Sequence, residues 1–111
     1  MPAHPVTLGG RRARILYVDD EPGLLRLGAL VLSRAGYAVD TAADGIAAWS
    51  ALRERSYQLL ITDNQMPGMT GVDLIRNLRL AGSTLPTILA SGTLGTLPLE
   101  ELPWLGQTAL L

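Results

Sequence analysis

The sequence predicts an α/β domain on a parallel sheet, and three observations carry that expectation. Short apolar runs alternate with stretches of helical period, Gly or Pro marks most of the joins, and two of the runs end in acids. The acids are Asp19-Asp20-Glu21, after Ile15-Leu16-Tyr17-Val18, and Asp63, after Leu59-Leu60-Ile61-Thr62. Apolar runs this short, bounded by turn residues, read as strands buried on both faces and joined by right-handed crossovers.

Each element follows from local pattern. Arg14 to Asp19 is the first strand. Pro22 then sits where a first helical turn tolerates it, with Asp20 or Glu21 available as the N-cap. Leu24, Leu27, Val31 and Ala35 recur at helical spacing, Leu25 and Leu32 widen the stripe, and Gly36 stops the helix. Tyr37 to Thr41 is a short second strand. Gly45 to Arg55 forms a second amphipathic helix through Ile46, Ala48, Trp49 and Leu52. Tyr57 to Thr62 is the third strand, and Trp49 and Tyr57 are expected to pack rather than to recognise a partner.

After Gly71, residues Val72, Ile75, Leu78 and Arg79 repeat with a 3.6 period, giving a third helix that ends at Gly82. Pro86 to Ala90 is the fourth strand, with Ser91-Gly92 at its exit. Between Thr93 and Gly106, Gly95, Pro98 and Pro103 leave room for one or two helical turns around Leu99 to Leu102. Gln107 to Leu111 begins a fifth strand.

Composition narrows the function. The 111 residues suffice for one domain with its own core. There are no cysteines, which excludes disulfides, thiolate catalysis and zinc–thiolate sites. A formal charge of -1 gives no footprint for nucleic acid, and Arg11, Arg12 and Arg14 read as a solvated basic cluster before the first strand. No apolar stretch approaches a membrane span, and Met1 to Gly10, with Pro2, Pro5, Gly9 and Gly10, lacks the apolar segment of a signal peptide. Residues 1–12 therefore read as a linker or disordered tail, which also holds His4, and residues 13–111 as the domain; the location expected is the cytoplasm. All nine basic residues are Arg, and none is Lys.

Ligand sites of open α/β sheets lie beyond the carboxyl ends of the strands. If the first and third strands are neighbours, the carboxylates of Asp19, Asp20 and Asp63 converge there. Carboxylates packed together repel unless a cation joins them, so the pattern predicts a hard divalent ion with oxygen ligands, Mg2+, and a phosphoryl group. An acidic triplet before Pro would also cap a helix, and Asp63 would cap a turn leading to Pro67. Neither alternative explains why two separate strand ends carry acids where a parallel sheet brings them together. Glu21 reads as a cap, not a ligand.

The chain resembles the receiver domain of bacterial two-component signalling. The likeness runs from Arg14 to about Leu111 and rests on Asp19-Asp20-Glu21, on Asp63-x-x-Met66-Pro67-x-x-x-Gly71 and on Ser91, in order and among matching elements. It implies a flavodoxin-like doubly wound sheet of order 2-1-3-4-5. It implies that Asp63 is the phosphoacceptor, that Asp20 binds Mg2+ directly, that Asp19 acts through a metal-bound water, and that the Gln65 backbone carbonyl completes the protein ligands. Ser91 would hydrogen-bond the phosphoryl group and act as a switch hydroxyl. The implied partner is a histidine kinase or a phosphotransfer domain. Asn64, Gln65 and Thr93 occupy positions where the family tunes phosphate lifetime.

One departure stands out: receivers carry a Lys-Pro after the fifth strand, and this chain has no lysine. The expectation is a chain truncated within or just after strand five, without the fifth helix, exposing apolar surface on strands one, three and five and self-associating through that face. The tail before Arg11 fits a receiver that follows another domain, such as the C-terminal receiver of a hybrid sensor kinase. Two alternatives belong to other classes. One is a phosphorylation-independent docking module, which the missing lysine favours. The other is a Mg2+-dependent phosphatase with an aspartyl-phosphate intermediate, which needs a second acid near its nucleophile; Asn64 and Gln65 follow Asp63 instead.

Overall fold

The computed structural model of the chain describes residues 7–8, 11–90 and 108–110. Five parallel strands, β1 (Arg14–Val18), β2 (Ala38–Ala42), β3 (Leu59–Asp63), β4 (Thr87–Ala90) and β5 (Thr108–Leu110), form one sheet in the order 2-1-3-4-5. Helices α1 (Pro22–Arg34), α2 (Gly45–Glu54) and α3 (Gly71–Leu80) are the crossovers between the first four. This is the doubly wound order expected from the sequence. Ahead of the sheet, in the stretch expected to be a linker, Thr7–Leu8 pairs antiparallel with Arg11–Arg12. The expected turns around Leu99 to Leu102 lie outside the described residues.

Each helix begins where a side chain satisfies its first free N–H groups. Glu21 caps α1, accepting from the N–H groups of Gly23 at 3.1 Å and Leu24 at 2.7 Å. The sequence offered Asp20 or Glu21 for that role and read Glu21 as a cap and not a ligand, as found. Asp44 caps α2 by accepting from the Ala47 N–H. Thr70 and Asp73 form a reciprocal capping box on α3. Gly36 and Gly82, at φ 104° and 86°, turn the chain out of α1 and α3 in the left-handed region.

The core lies between one sheet face and helices α2 and α3. Leu16, Val18, Leu60, Ala48, Met66, Leu74 and Leu78 form it, with Trp49, Leu52 and Tyr57 packed against its edge. Thr62 and Thr87 are buried beside it with their hydroxyls satisfied, donating to the carbonyls of Asp63 and Leu85. Asp40 on β2 anchors the join between α2 and β3: Arg14, Arg55 and the Tyr57 hydroxyl all donate to its carboxylate, Tyr57 at 2.8 Å.

Helix α1 differs from the other two in that none of its residues is buried. Leu24, Leu27, Leu30 and Val31 are all about half exposed or more, at 47–58%. The helix nevertheless sits close to the sheet, because Gly28 lies against the Tyr17 ring with no room for a Cβ between them. Of the strands expected to expose apolar surface, β1 has Ile15, Leu16 and Val18 buried, while Leu59 and Ile61 of β3 are half-buried.

Candidate functional site

Strand register brings the acids together. Val18 is aligned with Thr62 across β1 and β3, and with Ala42 across β1 and β2. Asp19 and Asp20 thus leave β1 level with Asp63, which closes β3. A carboxylate oxygen from each of Asp19, Asp20 and Asp63 lies within 4.8 Å of the other two. All three sit at the carboxyl edge of the sheet, where ligands of this topology bind.

The three acids are held differently. Asp19 is buried, its N–H donates to the Ala42 carbonyl, and its Oδ1 accepts from the Glu21 N–H at 3.0 Å. That contact aims Asp19 inward and sets Glu21 at the head of α1, away from the cluster. Asp20 is exposed and Asp63 is half-buried. Burial first, and then the charges of Asp19 and Asp20, raise the Asp63 carboxyl above its ordinary range, while the backbone N–H groups of Asn64 and Gln65 oppose the rise. Tyr17 feels the same field: burial and the carboxylates of Asp19 and Asp63 raise its phenol. The cluster is thus crowded with negative charge, and its three carboxylates are hard oxygen donors. That donor set fits Mg2+.

The loop after Asp63 is tightly wound. The Met66 N–H donates to the Asn64 carbonyl at 3.0 Å, closing a three-residue turn centred on Gln65. The Gln65 side chain is exposed, and among the described residues no backbone N–H donates to the Gln65 carbonyl. Gly71 also donates to the Asn64 carbonyl, at 3.1 Å, and Val72 donates to Asn64 Oδ1 at 3.0 Å. Ser91 lies outside the described residues, as does Thr93. Asn64 is the residue that sequence reasoning undervalued, since no motif links it to Val72 eight positions on.

Comparison with known proteins agrees with the geometry. A family model described as the response regulator receiver domain matches residues 15–97. The DNA-binding response regulator MtrA of Mycolicibacterium smegmatis is 38% identical over 85 residues, covering 77% of this chain and 37% of MtrA. The sensor protein EvgS of Escherichia coli is 43% identical over 82 residues, 74% of this chain and 7% of EvgS. The chain therefore spans well under half the length of these relatives. Among solved structures, the response regulator TrrA of Thermotoga maritima, in complex with Mg2+ and BeF, superposes with a TM-score of 0.79 at 29% identity, covering 89% of this chain and 85% of that one.

Proposed function

Because the chain belongs to the response regulator receiver domain family of two-component signalling, we propose that it accepts a phosphoryl group on Asp63 from a histidine kinase or a phosphotransfer domain. The observation that carries this reading is the mutual approach of Asp19, Asp20 and Asp63 within 4.8 Å at the sheet's carboxyl edge. Asp19, Asp20, Asp63 and the Gln65 backbone carbonyl are the groups that would hold Mg2+. The ion, when bound, supplies neutralisation of the phosphoryl oxygens and in-line orientation. A carboxylate oxygen of Asp63 attacks phosphorus, the bond from phosphorus to the donor imidazole nitrogen breaks, and the electron pair departs with the imidazole. Ser91 would then hydrogen-bond the phosphoryl group. The domain itself turns over no substrate and acts in the cytoplasm as a switch.

The likeness to EvgS supports a place as the receiver of a hybrid sensor kinase, and the exposed apolar flank of α1 supports self-association. Gel filtration across a range of concentrations checks the latter, with a monomer throughout as the contrary result. A second reading, a docking module that needs no phosphate, draws on the absence of lysine from the sequence.

Incubation with Mg2+ and acetyl phosphate or beryllofluoride, followed by intact mass and backbone NMR, separates the readings. An adduct that requires both Mg2+ and Asp63 is expected, with Asp63→Asn as the control. No Mg2+-dependent change would leave the docking module, and steady turnover of varied phosphomonoesters would indicate a phosphatase.

A further inference from the structure

We propose that Asn64 is a positioning residue for the metal site, fixing the turn that presents the Gln65 carbonyl by tying it to the first turn of α3. The inference rests on the metal-binding reading above and adds a residue to it. Asn64 engages three of its polar groups. Its N–H donates to the Ala90 carbonyl at 3.2 Å, its carbonyl accepts from Met66 and Gly71, and its Oδ1 accepts from Val72. A backbone N–H can only donate, so the side-chain atom facing Val72 is the oxygen, and the orientation of the amide is settled by its partner.

The first turn of α3 is thereby divided between two residues. The N–H groups of Gly71 and Val72 are satisfied by Asn64, and that of Asp73 by Thr70 Oγ1 at 3.1 Å. Only the Asn64 half also closes the turn around Gln65, through the Met66 N–H. A carbonyl can serve as a ligand only if the peptide that carries it is held still, and groups that hold ligands in place commonly contribute tenfold or more to metal affinity. Asn64 grips that peptide from the β4 side, through Ala90, and from the α3 side, through Gly71 and Val72.

Two variants divide a positioning role from simple helix capping. Asn64→Leu keeps the size of the side chain and removes the acceptor for Val72; Thr70→Val removes the acceptor for Asp73 and leaves the Gln65 turn intact. Calorimetric Mg2+ titration, well below each variant's unfolding temperature, should show affinity lowered about tenfold in Asn64→Leu and unchanged in Thr70→Val. Amide exchange at Val72 should quicken only in Asn64→Leu. Asn64→Asp, which keeps an acceptor for Val72, should retain Val72 protection and bind Mg2+ at least as well as the unaltered chain, and it serves if Asn64→Leu fails to fold. Equal weakening in Asn64→Leu and Thr70→Val, wild-type affinity in Asn64→Leu, or weakened binding in Asn64→Asp with Val72 still protected would each overturn the role of Asn64 while leaving the metal site standing. Absence of Mg2+ binding by the unaltered chain would remove both.

Discussion

Gly71 rests directly on the carbonyl oxygen of Asp63, so closely that a Cβ at position 71 would overlap it and would also crowd the Leu89 side chain. The first residue of α3 thus touches the main chain of the acid proposed to take the phosphoryl group. Gly71→Ala must push the helix away from the strand or shift Asp63 itself. Overpacking of this kind costs about 1–3 kcal/mol, to be read as a lower urea midpoint with an unchanged slope. Phosphorylation by acetyl phosphate should slow more than the stability loss explains, because the displaced atoms belong to Asp63.

The raised Asp63 carboxyl makes stability depend on pH in a definite direction. The folded state holds this proton more tightly than the unfolded chain, whose aspartate titrates near 3.8. Its contribution is therefore present below that value and is lost as pH rises through the higher folded value. In the presence of a chelator, Asp63→Asn should be more stable than the unaltered chain at neutral pH, and the difference should vanish in acid. Saturating Mg2+ should stabilise the unaltered chain and have much less effect on the variant. A neutral-pH stability in Asp63→Asn below that of the unaltered chain would contradict this account.

Glu21 and Asp20 are neighbours with separate tasks. Glu21→Gln should weaken the α1 cap, since its carboxylate accepts from Gly23 and Leu24, yet leave Mg2+ affinity nearly unchanged. Asp20→Asn should do the reverse, lowering Mg2+ affinity by about tenfold or more with little loss of stability. Thermal melts and calorimetric titrations of the two variants read both quantities.

Tyr57 donates to the Asp40 carboxylate, and burial together with that hydrogen bond pushes its phenol up to about 12 from an ordinary 10.0. The raised value means that this contact supports the fold below pH 10.0 and is lost as pH rises through about 12. In ultraviolet titration of the three tyrosines, the highest-titrating component should be present in the unaltered chain and absent from Tyr57→Phe. At neutral pH the variant should be less stable by about 1 kcal/mol, with Mg2+ binding intact, because Asp40 lies on β2 away from the acidic cluster.

Much of the site was legible before folding because its signals are local. An acid directly after a short apolar run marks a strand's carboxyl end, and parallel strands all present that end to the same side. This rule put Asp19, Asp20 and Asp63 on one edge of the sheet, and their convergence followed once the first and third strands were neighbours. The ends of the strands and helices shifted by a residue or two; β3, for instance, includes Asp63, because its pairing with β4 continues to Ala90. The Asp40 cluster was not foreseen. Its members Arg14, Asp40, Arg55 and Tyr57 lie on three different elements and joins, and no spacing in the sequence relates them.

Local pattern in the chain was enough for the alternation of strands and helices, the edge of the sheet on which the acids stand and the hard oxygen chemistry they offer, because periodicity and residue type act over a few neighbours. Which polar groups meet across long separations was set by the folded chain. It brought Arg14, Arg55 and Tyr57 onto Asp40 and gave Asn64 the N–H of Val72. It also left the apolar residues of α1 half exposed while burying those of β1. These outcomes depend on register and on the approach of helix to sheet, which are set by packing of the whole domain and leave no mark in any one stretch of the chain.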